Sequence, residues 1–125
     1  EYVGLLGPKE RAEFLGSAIA TFMPTIYVEP FGGVGVESML CGTPVISTDW
    51  GAFPELIQHG RDGYRCHTMA EFARAAELTQ SIGLSRRWKI RRRAHKRFST
   101  ETVGKQYKDY FDRLNLLYGA GFYAE

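Results

Sequence analysis

The sequence predicts an α/β fold in which helices flank a parallel sheet, and three observations carry that expectation. Short apolar runs of strand length alternate with helix-like segments through the first half of the chain. Residues 44–48 (PVIST) form a continuous β-branched run, as expected of a strand buried on both faces. A glycine-rich stretch, residues 27–37, lies between a strand and a helix, where loops of such folds gather.

The elements follow in order. Residues 2–6 (YVGLL) are closed by Gly7-Pro8 and read as a buried strand. Pro8 suits the first turn of a helix over 9–17. Residues 19–24 (IATFMP) read as the second strand. The glycine-rich stretch then leads into a helix over 36–41 stopped by Gly42, and 44–48 is the third strand. Residues 49–53 (DWGAF) make a turn, Pro54 opens a short helix over 55–58, and 63–66 (GYRC) is a fourth strand. Thr68 and Glu71 form a T-x-x-E capping box for a helix ending near residue 81. Ser85 is expected to cap the next helix, to about residue 98. Ser99 caps a last one, from 100 to about residue 118. Its expected core face is Tyr107, Tyr110, Phe111 and Leu114, with surplus apolar surface at Leu117, Tyr118, Phe122 and Tyr123.

Composition narrows the function. The 125 residues are one domain's worth, 44% hydrophobic and 24% charged, as in ordinary globular chains. No apolar run approaches the roughly 20 residues that span a bilayer. The first residue is Glu1, so the chain is expected to begin partway through a longer protein. Cys41 and Cys66 have no C-x-x-C partner and read as reduced thiols of a cytoplasmic protein. Three widely spaced histidines suggest no metal site; His59, beside a glycine turn, reads as a loop residue and His67, before a capping box, as structural.

Net charge is +2, yet eight of the 16 Lys and Arg residues fall between Arg86 and Arg97. On a helical wheel Leu84, Trp88, Ile90, Ala94 and Phe98 share one arc of roughly 160°. Arg86, Lys89, Arg92, Arg93, Lys96 and Arg97 lie opposite, with Arg87 and Arg91 at the flanks. Two readings stand: a surface for a peripheral membrane or other anionic partner, or a solvated helix packed through Trp88 and Phe98. No nucleic acid is expected, because no stacking aromatics interleave with the charges.

The stretch EPFGGVGVE places Glu29 and Glu37 around Gly32, Gly33 and Gly35. Bare backbone at a helix start exposes unpaired amides and the positive end of the helix dipole, which suits phosphate. A carboxylate is a poor neighbour for phosphate but a good acceptor for sugar hydroxyls. A ligand carrying both phosphates and hydroxyl-rich rings would use the whole stretch. Ordinary loop glycines and surface acids are the alternative.

Residues 24–64 carry a larger pattern: Glu29, Phe31-Gly32, Glu37, Ser38, Cys41-Gly42, the run from Pro44 to Asp49, and Asp62-Gly63-Tyr64. In this order the motifs resemble the donor-binding domain of group 1 retaining glycosyltransferases, which have two Rossmann-like domains (the GT-B fold) and are related to glycogen synthases and bacterial mannosyltransferases. The resemblance covers roughly residues 2–118. It implies that residues 1–98 are part of a Rossmann-like domain binding a nucleotide-diphosphate sugar. It implies that 99–125 form a C-terminal helix packing on an N-terminal domain upstream.

The resemblance places Glu29 at the donor hexose, as the candidate catalytic residue, though not as an assured nucleophile. Phe31, Gly32, Gly33 and Val34 would offer amides to hexose and phosphate, and Glu37 would bind the ribose diol. Gly7, Pro8 and Lys9 would line the base pocket. No metal or other cofactor is expected. The acceptor (glycan, lipid or protein) is unspecified. The phosphate-clamping cations are expected upstream, so the chain alone should not turn over. Asp49 and Glu55 flank the DWGAFPE turn and read either as ordinary turn residues or as groups that close the donor cleft. Ser38 departs from the usual Ala. Gly33 and Gly35 depart from bulkier apolar residues, which implies a looser loop or a larger pocket. A non-catalytic nucleotide-sugar-binding or anionic-surface module is the alternative function.

Overall fold

A computed structural model describes residues 1–119. The chain divides into two compact units, Glu1–Ala94 and His95–Glu125. The first contains α1 (Pro8–Ser17), β1 (Thr21–Met23), α2 (Gly33–Leu40), β2 (Val45–Thr48), α3 (Phe53–Leu56), β3 (Gly63–Cys66) and α4 (Met69–Gln80). α5 (Leu84–Phe98) begins in it, and α6 (Thr100–Gly119) belongs to the second.

The sheet is parallel, in the order β1-β2-β3. Phe22 and Tyr64 lie on either side of Ile46 in register. Successive side chains of a strand face opposite ways. Ile46 meets Phe72 and Ala75 of α4, whereas Val45 lies beneath Gly35 of α2. Both faces are therefore covered, which is why all four residues of β2 are buried and why PVIST lacks alternation.

Caps set the helix boundaries. The Thr68 hydroxyl accepts from the Glu71 amide at 3.2 Å, and the Glu71 carboxylate accepts from the Thr68 and His67 amides at 3.3 and 2.5 Å. Those backbone bonds, His67 first, hold the Glu71 carboxyl below the usual range. Ser99 caps α6, accepting the Thr102 amide at 3.3 Å.

Four expectations change. Residues 2–6 form no strand: Tyr2 and Leu5 are fully exposed, Gly4 turns the chain at φ 74°, and no strand among the described residues pairs with them. α2 begins at Gly33, because Gly32 takes the left-handed cap conformation. α5 begins at Leu84, ahead of Ser85, with the Gly83 carbonyl accepting the Arg86 and Arg87 amides at 3.0 and 3.2 Å. α6 buries no residue. Tyr107, Tyr110 and Phe111 are exposed and pack on one another, at centroid distances of 6.4 Å for Tyr107–Phe111 and 5.6 Å for Tyr110–Phe111. Their spacing makes a stripe, but no second helix covers it within the described residues of their unit. Phe122 and Tyr123 lie outside the described residues.

Candidate functional site

In a parallel sheet the loops that follow the strands share one edge. The chain after β1 and the turn after β2 meet there. Gly32 caps α2 at φ 79° and ψ 48°. From that geometry its carbonyl accepts both the Gly35 and Val36 amides, at 2.9 and 3.2 Å. The Gly33 and Val34 amides are left without an intrahelical partner, at the positive end of the helix. A Cβ on Gly32 would lie 3.0 Å from Phe53 and 3.2 Å from Leu56, so the cap conformation and its packing both require glycine.

Glu29 folds back over this turn. One carboxylate oxygen accepts the Gly32 amide at 2.9 Å and the Phe31 amide at 3.4 Å; the other accepts the Tyr27 hydroxyl at 2.5 Å. The Tyr27 bond is the largest influence holding the Glu29 carboxyl below its ordinary range; desolvation opposes it and the two amides add to it. The carboxylate in turn raises the Tyr27 hydroxyl above its usual 10.0. Two of the amides expected to face a ligand, those of Phe31 and Gly32, are thus turned onto Glu29.

The turn after β2 braces the same loop. The Ala52 amide donates to the Glu29 carbonyl at 2.8 Å, and the Trp50 indole donates to the Tyr27 carbonyl at 3.1 Å. Gly51 sits at φ 62°, where a Cβ would come within 2.6 Å of the Glu29 carbonyl oxygen. Asp49 is committed to β3 and its end: it pairs with Arg65 at 2.9 Å and lies 3.3 Å from the His67 ring. His59 also serves this end, its ring nitrogen accepting the Arg65 amide at 3.1 Å.

Glu37 lies one turn into α2, half-exposed, in an ion pair with Arg11 of α1 at 2.9 Å. Arg11 belongs to the first turn capped by Gly7, whose carbonyl accepts its amide at 2.8 Å. Pro8 occupies the start of α1, and Gly7, Pro8 and Lys9 are exposed at that end. Ser38 is buried, where its hydroxyl lies 2.8 Å from that of Thr21 and donates to the Thr43 carbonyl at 3.1 Å. A hydroxyl is therefore accommodated where an alanine was expected. Gly35 does not enlarge a pocket: a Cβ there would press the Met23 sulfur at 3.2 Å, so its bareness lets α2 lie close on β1 and β2. Gly33 is uncrowded: a Cβ there would meet only the Phe31 ring, at 4.0 Å.

Sequence reasoning missed three members of this group. Tyr27 stands two residues before Glu29, but the bend at Ile26 and Tyr27 that brings its hydroxyl onto the carboxylate has no local sequence signal. Gly51 carried the signal of any glycine inside a tight turn. Arg11 carried none, because its partner is set by how α1 and α2 pack.

The basic segment is not one solvated face. The Arg87 guanidinium reaches inward to the Gly16 and Ala18 carbonyls and the Thr43 hydroxyl, at 2.7, 2.8 and 2.7 Å. Arg93 pairs with buried Asp62 at 2.6 Å, and Arg86 donates to the Gly60 carbonyl. Ile90 and Ala94 supply the buried stripe, whereas Leu84 and Trp88 are exposed and Arg91 covers the Trp88 ring at 5.7 Å. Among the described residues no cluster of His, Cys, Asp and Glu could hold a metal, and no helix is long and apolar enough to cross a membrane.

A family profile described as "Glycosyl transferases group 1" matches residues 1–80. The chain is 37% identical over 92 residues to N-acetyl-alpha-D-glucosaminyl L-malate synthase of Bacillus anthracis, covering 69% of this chain and 24% of that protein. It is 39% identical over 75 residues to alpha-maltose-1-phosphate synthase of Mycolicibacterium smegmatis, covering 56% and 19%. It is 28% identical over 120 residues to a probable sucrose-phosphate synthase of Thermosipho melanesiensis, covering 94% and 28%. The chain thus spans between 19% and 28% of the length of these relatives.

Proposed function

The chain belongs to the group 1 glycosyl transferases, and on that footing we propose that it is the donor-holding part of a retaining glycosyltransferase that takes a nucleotide-diphosphate sugar. The observation that carries this reading is the pairing of Glu29 with the start of α2. A carboxylate and two unpartnered amides lie on one turn, at the edge of the sheet where α/β ligands sit.

In this reading the Gly33 and Val34 amides and the α2 dipole hold the diphosphate and stabilise it as it departs. No metal is called on for that step. A carboxylate offers about four acceptor positions. Tyr27, Phe31 and Gly32 take three on Glu29, leaving room for a hexose hydroxyl. Donor arrival can also release the Phe31 and Gly32 amides toward the sugar and phosphate. Glu29 acts beside the reacting carbon by hydrogen bonding and charge. Glu37 binds the ribose diol in exchange for Arg11, and Gly7, Pro8 and Lys9 border the base. The acceptor is a glycan, lipid or protein bound outside these residues, so the chain by itself holds donor without turning it over.

Glu29→Gln separates this reading from a purely structural loop. A residue that touches only the hexose should weaken sugar-nucleotide binding and leave nucleotide diphosphate binding unchanged. Calorimetric titration of both ligands checks this; equal losses for the two would move Glu29 to the phosphates.

A further inference from the structure

A cleft of about 540 Å³ opens at the opposite end of the sheet from Glu29. Its walls include Gly60 and Arg61, which precede β3, whereas the Glu29 loop follows β1. In a parallel sheet those positions are at opposite ends. The cleft is also lined by Ser85, Arg86, Lys89 and Arg93 from the first turns of α5. Among the described residues no acidic residue lines it.

Four cations therefore surround one concavity. Asp62 offsets one of them, through its bond to the Arg93 Nε. Arg86 is fixed by the Gly60 carbonyl, and Arg93 also donates to the Arg61 carbonyl at 2.7 Å. These bonds go to neutral carbonyls, so they fix the guanidinium groups without cancelling their charge. The side chains of Arg61 and Lys89 have no ion-pair or hydrogen-bond partner among the described residues. The Leu84 and Ser85 amides at the start of α5 also make no intrahelical bond. Rigid like charges around a cleft repel one another, and a bound dianion relieves that repulsion while accepting from several fixed donors.

We propose that this cleft binds a phosphate monoester through Arg61, Lys89, the Arg86 and Arg93 guanidinium groups and the Ser85 amide of the first turn of α5. The site is separate from the proposed donor site and does not depend on that assignment. The volume falls in the range of small-molecule sites, roughly 300–1,000 Å³, and exceeds what phosphate alone fills. The ligand is accordingly a phosphorylated molecule of sugar size or the phosphate of a lipid headgroup, two sources that offer the same chemistry.

The test uses the ¹⁵N-labelled chain titrated with inorganic phosphate at low ionic strength. Saturable shifts are expected at Leu84, Ser85 and Gly60. The double variant Arg61→Ala/Lys89→Ala breaks no intramolecular bond and should weaken phosphate binding about tenfold. The charge-matched control Arg91→Ala/Arg92→Ala, outside this cleft, should change it less than about twofold. Co-sedimentation with phosphatidylcholine vesicles containing phosphatidic acid, lost in the first variant, would put the phosphate on a lipid. Phosphate binding without sedimentation would put it on a soluble ester. Equal weakening in both double variants would reduce the effect to general charge and overturn the site. Shifts confined to Gly33 and Val34 would overturn it too.

Discussion

Gly32→Ala probes the turn on which the site is built. The substitution meets two costs. Alanine in the left-handed region loses roughly 1–2 kcal/mol, and Gly32 sits at φ 79°. The added methyl would also lie 3.0 Å from the Phe53 ring and 3.2 Å from Leu56. Those side chains are 0% and 5% exposed, so neither can swing aside into solvent. Overpacking of this kind costs about 1–3 kcal/mol. The sum is about 2–4 kcal/mol, after allowing for some relaxation and for the smaller entropy of the unfolded alanine chain. Gly33→Ala, one residue on, is the internal control. Gly33 does not have a positive φ, and its added methyl would meet nothing closer than Phe31 at 4.0 Å. It should be neutral or stabilise by about 0.4–1 kcal/mol. Urea denaturation of the two variants reads the difference, provided the m-value is unchanged. Equal midpoints for Gly32→Ala and Gly33→Ala would refute the left-handed cap, and with it the orientation of the Gly33 and Val34 amides.

Three further outcomes follow from the same contacts. Arg87→Met should destabilise by about 2–4 kcal/mol, because the Gly16 and Ala18 carbonyls and the Thr43 hydroxyl lose a shared donor; a loss below 1 kcal/mol in urea melts would mean the guanidinium is solvated. Tyr27→Phe should raise the Glu29 carboxyl back toward its ordinary 4.5, since the hydroxyl is its largest lowering influence. Carboxyl-carbon NMR titration reads the shift, and no change would remove the Tyr27 bond. The sign follows from linkage: with a depressed pKa, the Glu29 contribution is whole above 4.5 and is lost as pH falls through the folded value, so Tyr27→Phe should flatten acid unfolding in that window. Glu37→Ala should weaken sugar-nucleotide binding by about 1–3 kcal/mol, the cost of leaving a hydroxyl pair without its acceptor, and an unchanged Kd would take Glu37 out of the ribose role.

Much of this fold is legible in the sequence because its signals are local. PVIST, the T-x-x-E box and Ser99 each specify their element within four or five residues. Residues 2–6 mislead because a strand needs a partner, and apolar composition does not supply one. The aromatic stripe of α6 misleads in the same way: its period is helical, but period alone does not say that something covers it. At the candidate site, Glu29, Glu37 and the glycines are visible as a motif. That Glu29 consumes the Phe31 and Gly32 amides is not, since it depends on the fold-back of a side chain. Arg87 looked like one more charge at the flank of a basic helix. Its role emerges only when Gly16, Ala18 and Thr43, more than 40 positions away, converge on it.

The most direct test of the donor assignment is an amide-resolved titration of the chain with UDP-, GDP- and ADP-glucose and the matching diphosphates. Saturable shifts at Gly33 and Val34 are expected for at least one nucleotide, with a Kd on the order of millimolar, and Glu37→Ala should weaken that binding about fivefold or more. If no member of the series moves Gly33 or Val34, or if binding survives Glu37→Ala unchanged, the glycine turn and its two glutamates do not hold a nucleotide-diphosphate sugar.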